Sequence, residues 1–281
     1  SLNAASLLGK IYFPESDEEP STEGVAECVA FLLDHGCDPD VTTAHYRSLR
    51  GERTSISMLH LAVEQGDTAT AGLLLDRGIN PFIRTSSQQT TLYSAVGDAR
   101  NTGIVRRLLD LGLDPDAADC DGHTPLIRAV RESRSPEIVR LLLDFGADVN
   151  AAGPDGGTAL VHAWSSDTEI VRLLLARGAQ ADAADNDGRT ALFKAMGNSR
   201  ETVLLLLNNG ADLHRKDTSG QILLMNAARS SDPWFAALCL EAGLDVNEQQ
   251  EDGLDALWYA VDRENPRVAA LLIEKGADAA R

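Results

Sequence analysis

Aromatic residues are scarce in this chain: Phe, Trp and Tyr make up 5% of its 281 positions. Its apolar interior must therefore come mainly from Ala and Leu, which favours closely packed helices. No run approaches the roughly 18 consecutive apolar residues that a bilayer-crossing helix needs, so no membrane span is expected. Cysteine is confined to Cys28, Cys37, Cys120 and Cys239, without a Cys-x-x-Cys pair. That spacing argues against a disulfide framework and a structural zinc site, and points to a reducing, cytoplasmic setting. Basic residues are few as well, with 25 Lys and Arg against 43 Asp and Glu, for a formal net charge of −18. Such a field repels phosphate backbones and anionic lipid, so neither nucleic acid nor membrane is an expected partner. The opening SLNAASLLGKIYF holds one Lys and an apolar stretch broken by Gly9 and Lys10, unlike a secretory signal. The chain begins with Ser rather than Met, as a trimmed chain would.

Catalytic constellations are also missing. His35, His45, His60, His123, His162 and His214 fall in different segments and form no His-x-x-x-His pair. There is no Gly-x-x-x-x-Gly-Lys-Ser/Thr phosphate loop and no Gly-x-Ser-x-Gly elbow. No catalytic residue, metal or cofactor is therefore expected. Cys28 and Cys239 lie in apolar helical runs and are expected to be core thiols, which leaves Cys120 as the candidate reactive one.

What the chain does have is repetition. DGHTPLIRAV at Asp121–Val130 returns as DGGTALVHAW at Asp155–Trp164 and as DGRTALFKAM at Asp187–Met196. A glycine closes an apolar run at Gly36, Gly78, Gly112, Gly146, Gly178, Gly210, Gly243 and Gly276, at intervals of 42, 34, 34, 32, 32, 33 and 33. A leucine follows 14 positions after each glycine from Gly78 to Gly243, and 23 after Gly36. Within each unit, a hydroxyl N-cap such as Thr124, Thr158 or Thr190 starts a short helix. A second helix begins at a cap and proline in Ser135-Pro136, Asp232-Pro233 and Asn265-Pro266. Its body, EIVRLLL at Glu137–Leu143 and again at Glu169–Leu175, is apolar nearly all round and needs cover on both sides. The closing glycine suits a helix that ends in the left-handed conformation. One such unit cannot bury its own faces, whereas a stack of them can.

A period near 33, with D-x-x-G-x-T-P-L before the first helix and G-A-D-x-N after the second, resembles the ankyrin repeat. The best copies are Asp119–Asn150 and Asp185–Asp212. The resemblance implies an all-α solenoid of helix–turn–helix units joined by β-hairpin-like loops, forming a single domain over 1–281. Residues 1–40 form a diverged first repeat with an acidic insertion. Repeats two to eight are 41–84, 85–118, 119–152, 153–184, 185–216, 217–249 and 250–281.

The family's usual histidine after the leucine, which ties the threonine hydroxyl to neighbouring backbone, is kept only at His60. Tyr93, Ile127, Val161, Phe193, Met225 and Trp258 take its place elsewhere. Trp234 and Trp258 are expected in the core. The third unit reads TSSQQTTL, without an Asp-Gly turn, and predicts an irregular tip. Pro39, Pro81 and Pro115 should shorten strand pairing in their hairpins. Two insertions depart from the pattern, VTTAHYRSLRGERTS near 41–55 and the acidic PESDEEPSTEG at Pro14–Gly24. The acidic one is expected to be a solvated loop, with docking of a basic partner as its functional alternative.

The resemblance further implies non-catalytic protein–protein recognition through a concave face, by a monomer whose partner protein carries some basic surface. The turn-tip candidates are Asp121, His123, Asp155, Asp187, Arg189, Gln221 and Asp252. The helix-end candidates are Arg131, Glu132, Trp164, Ser165, Ser166, Asn198, Arg229, Asp262 and Arg263. Trp164 replaces a small residue of the family and, with Arg131, is either a binding hot spot or filler for a shortened repeat. The final unit ends at EKGADAAR without a polar cap. The alternative reading is therefore a targeting or regulatory segment of a longer protein whose catalytic domain lies outside this chain. An enzyme with its site near His45 and Tyr46 is a third.

Overall fold

Helices follow one another in pairs throughout the computed structural model, which describes residues 24–38, 43–47, 53–163, 168–196 and 199–279. The chain divides between Asp148 and Val149 into two compact units. In the first, α1 (Val25–Asp34) precedes two strands, β1 (Thr43–Arg47) and β2 (Arg53–Ile56), paired antiparallel in the register Thr43–Ile56, Tyr46–Thr54 and Arg47–Arg53. Helix pairs follow: α2 (Met58–Glu64) with α3 (Thr68–Asp76), and α4 (Thr91–Ala95) with α5 (Thr102–Asp110). α6 (Pro125–Arg128) runs on through a π-helical segment, Ala129–Ser133, before α7 (Pro136–Asp144). In the second unit α8 (Ala159–His162) pairs with α9 (Thr168–Ala176), and α10 (Ala191–Ala195) with α11 (Arg200–Asn208). The last pairs are α12 (Leu223–Ala228) with α13 (Pro233–Glu241), and α14 (Ala256–Asp262) with α15 (Pro266–Glu274). The nine extra residues of the second repeat thus supply the one hairpin of regular strands among the described residues.

The repeated letters perform repeated tasks. Thr90, Thr124 and Thr190 accept the backbone N–H three residues on, at 3.0, 3.3 and 3.3 Å. Thr158 holds the same place without that bond, and its buried hydroxyl has no partner among the described residues. Ala62, Ala95, Ala129, Ala163, Ala195, Ala227 and Ala260, each three residues after the anchor leucine, have no exposed surface. A methyl group there lets neighbouring first helices approach closely, which is how a core poor in rings reaches native density. Gly146 closes α7 at φ 90°, where the Ala147 N–H reaches back to the Leu142 carbonyl at 3.0 Å. A left-handed residue ends the helix and satisfies an orphan carbonyl.

Several local expectations need correcting. The third tip is regular: Thr85 N–H donates to Gln89 O and Gln88 N–H to Thr85 O, with Gln88 itself at φ 59° in the glycine's place. Cys28 is exposed, because Val25 and Val29 form the buried stripe of α1 and Cys28 lies off it. Trp258 is 45% exposed rather than in the core, whereas Ile127 and Phe193 at the same place in earlier repeats are buried. Isolated bridges join Ala152 to Thr158, Ala184 to Thr190 and Lys216 to Ile222; among the described residues none forms after Pro81 or Pro115. The acidic stretch at 14–23 lies outside the described residues, as do 48–52 of the hairpin insertion.

Candidate binding surface

Successive turn tips are stitched through the main chain. Within the first unit Cys120 N–H donates to Ser87 O at 3.0 Å. Within the second, Asn186 N–H donates to Asp155 O, Thr218 N–H to Asp187 O and Glu251 N–H to Ser219 O, at 2.8, 2.9 and 3.2 Å. Gly188 is needed for this approach, since a Cβ there would stand 3.1 Å from Thr218 N at a φ of 77°. With the backbone so engaged, the tips present side chains.

In the first unit Asp119 organises one tip by accepting from Asp121 N and His123 N at 3.1 and 2.9 Å. Asp119, Asp121 and His123 are the one grouping of metal-ligand type among the described residues, with donor atoms within 4.8 Å of one another. Asp119 is committed to the turn, however, and Arg131 already brings a cation to 3.3 Å from His123 Nε2. Behind this tip, Arg128 lies 4.7 Å from the Tyr93 ring centroid and pairs with Glu132 at 2.8 Å. Burial and the Asp119 carboxyl push the Tyr93 hydroxyl well above its usual range.

In the second unit, polar side chains of the first helices reach the tips of their own repeats. His162 Nε2 lies 3.3 Å from Asp155, and Lys194 Nζ lies 2.7 Å from Asp185. Burial opposes ionisation of both aspartates, but it is outweighed by His162 and the Gly157 N–H at Asp155, and by Lys194 and the Arg189 N–H at Asp185. Both carboxyls therefore titrate below their ordinary range. Gln221 Nε2 donates to Asn226 at 2.9 Å, and Arg229 stacks over Tyr259 at 4.2 Å. Arg189 contacts both Asp187 and Asp217.

The expected candidates fall into three groups. Asp121, Arg131 and Glu132 in the first unit are exposed, and so are Asp155, Asp187, Arg189, Arg229, Asp252, Asp262 and Arg263 in the second. His123 is half-buried. Gln221 is buried rather than a surface tip residue, because its N–H is tied to Asp217 and its amide to Asn226. Trp164, Ser165, Ser166 and Asn198 lie outside the described residues. Sequence reasoning missed Arg128, Lys194, Asn226 and Tyr259. They share a position two residues after the anchor leucine, a polar place inside an otherwise buried helix, and that was the available signal.

No curated protein sequence matches this chain. A family model described as ankyrin repeats (3 copies) matches residues 59–153 and 145–217. Among solved structures, the chain is similar to the ankyrin repeat domain of Bcl-3, described as a unique member of the IkappaB protein family. The identity is 32% and the TM-score 0.60, covering 78% of this chain and 98% of that one. Matches extend to 568 chains of solved structures, so the scaffold is common and specifies no single partner.

Proposed function

Because the chain belongs to the ankyrin repeat family, we propose that it is a non-catalytic protein-binding module that holds a partner protein on its tip and helix-end side chains. The proposed contacts in the first unit are Asp121, His123, Arg131 and Glu132. In the second they are Asp155, Asp187, Arg189, Arg229, Asp252, Asp262 and Arg263, with Gln221 positioning Asn226. One observation carries the reading: charged side chains stand exposed on turns whose backbone groups are bonded to one another, so the surface is fixed before a partner arrives. A surface ordered in advance loses less entropy on binding. Arginines spaced among carboxylates suit a protein surface of mixed charge better than a polyanion.

In this reading the module is monomeric and cytoplasmic and engages neither nucleic acid nor membrane. The net charge of −18 supports the last point, and no described helix is long and apolar enough to cross a membrane. The test is affinity capture with the intact chain and with an Arg131→Ala, Arg229→Ala double variant of equal helicity by circular dichroism. A protein held by the first and lost by the second is the expected result. The same protein held equally by both overturns the proposed surface.

A further inference from the structure

We propose that the ends of the second helices in the first unit, around Phe82, Leu111 and Phe145, form a docking surface for a basic amphipathic helix of a partner protein. None of these residues belongs to the tips discussed above. Leu111 and Phe145 each stand one residue before a closing glycine, at the ends of α5 and α7, and are 51% and 36% exposed. Phe82, 59% exposed, stands four residues after Gly78. Single exposed apolar side chains are ordinary, but three at the helix ends of successive repeats make a patch. The second unit has Arg177, Asn209, Ala242 and Lys275 before its glycines, so stacking does not require a large apolar residue there.

The three side chains share one edge. α3, α5 and α7 end alike, with the N–H groups of Ile79, Leu113 and Ala147 returning to the carbonyls of Leu74, Leu108 and Leu142 at 3.2, 3.2 and 3.0 Å. α5 packs against both α3 and α7. Its Arg107 reaches Asp76, at the end of α3, at 2.8 Å. Leu111 and Phe145 therefore project from equivalent places on neighbouring helices, about 8–10 Å apart by the usual spacing of packed helices. Phe82 takes the place in its repeat that Asp116 takes in the next. Asp116 borders the following repeat, where it accepts the Asp148 N–H at 3.0 Å. By the same spacing Phe82 borders the end of α5, beside Leu111.

Charge selects the occupant. From two residues before each closing glycine to four after it, the three segments carry Asp76, Asp110, Asp114, Asp116, Asp144 and Asp148. Their one basic residue is Arg77, which is bound to Asp34 at 2.6 Å. The carbonyl ends of three helices add partial negative charge. A second copy of this chain, at a net charge of −18, would be repelled, and so would an anionic lipid surface. A helix with lysine or arginine beside an apolar stripe meets both features of the edge. Its residues i and i+7 lie about 10 Å apart, which matches the step from Leu111 to Phe145.

The test uses the full chain at low ionic strength and a synthetic helix with leucines at i, i+4 and i+7 flanked by lysines. A control helix has the same residues with the leucines spread round it. Calorimetry should show binding of the striped helix and much weaker binding of the control. Leu111→Ser with Phe145→Ser should weaken binding about tenfold, and Asp110→Asn with Asp144→Asn about threefold. All four side chains are exposed, so circular dichroism should show native helicity in both variants. Leu204→Ser, which removes a similarly exposed leucine from α11 in the second unit, should leave affinity unchanged. Equal binding of the control helix would show general attraction to an acidic protein and overturn the docking surface, as would equal weakening by Leu204→Ser. Self-association of the chain that Leu111→Ser with Phe145→Ser abolishes would make a second copy the occupant and overturn the partner helix. The Arg131→Ala, Arg229→Ala variant should bind the striped helix as the native chain does. Loss of binding there, with the Leu111 and Phe145 variant unaffected, would move the helix to the tips and overturn this edge while leaving the tip surface standing.

Discussion

His60 Nδ1 lies 2.8 Å from Ser57 Oγ, while its Nε2 meets the Gln89 carbonyl at 3.3 Å. A carbonyl can only accept, so Nε2 carries the proton and Nδ1 accepts from the serine hydroxyl. The ring thus binds the start of its own helix to the next repeat, and it does so in the neutral form.

Burial pushes His60 down to about 4, against the opposing pull of the Gln89 carbonyl. Between that value and the ordinary 6.5 the unfolded chain binds the extra proton and the folded chain does not. This contribution is therefore fully present above about pH 6.5 and is lost as the pH falls towards 4, on the order of 3 kcal/mol in all. Urea midpoints measured from pH 7 to 4 should fall, and His60→Leu should flatten the dependence over that window. An unchanged slope in the variant would show that other groups are responsible.

Gln88 holds a left-handed φ of 59° in a turn whose counterpart residue is Gly122 at φ 89°. A side chain in that region costs roughly 1–2 kcal/mol, and replacement by glycine gives back about 0.4–1 through the freer unfolded chain. Gln88→Gly should raise stability by about 0.5–1 kcal/mol, read as a higher thermal midpoint. A lower midpoint would mean that the Gln88 side chain stabilises the tip.

The repeat was legible because packing repeats: the anchor leucines, the buried alanines behind them and the left-handed glycines recur at near-constant spacing. The third tip was misjudged because any residue able to bear a positive φ can close that turn, and the letters QQ do not announce it. Cys28 was misplaced because an apolar run does not tell which stripe of a helix is covered. The candidate surface was legible only in part. Exposed tips follow from the turn motif, but the pairing of Arg128 with Tyr93 and Glu132 depends on the π-helical segment and on the side chain missing at Gly97, and neither has a pattern of its own.

Thiol labelling separates the cysteines. Cys239 is buried in α13, and burial pushes its thiol up to about 12, whereas Cys120 is exposed beside Asp121. Cys120 should react with a maleimide in the native protein, together with exposed Cys28, and Cys239 only after denaturation. Cys120 should not be unusually fast, because desolvation and Asp121 raise its thiol above the ordinary range. Rapid native labelling of Cys239 would show that the α12–α13 pair opens readily.

Asn101 has no exposed surface, and its Nδ2 donates to Val63 O at 2.6 Å and to Ala95 O at 3.0 Å. Those carbonyls lie near the ends of α2 and α4 and also accept from Gly66 N–H at 3.1 Å and Asp98 N–H at 3.4 Å, so one amide adds a second donor to the helix ends of two successive repeats. Asn265 repeats the device in the second unit, donating to Ala228 O and Ser230 O. Asn101→Ala would take one of two donors from each carbonyl, leaving only the Gly66 and Asp98 N–H groups, and open a small void, at a cost of about 1–3 kcal/mol. Asn101→Asp should be worse, since a carboxylate brings negative charge against two carbonyl oxygens. The check is the urea midpoint of each variant with its far-UV spectrum. A loss under about 1 kcal/mol for Asn101→Ala would mean that water replaces the amide and that stacking here rests on apolar contact alone.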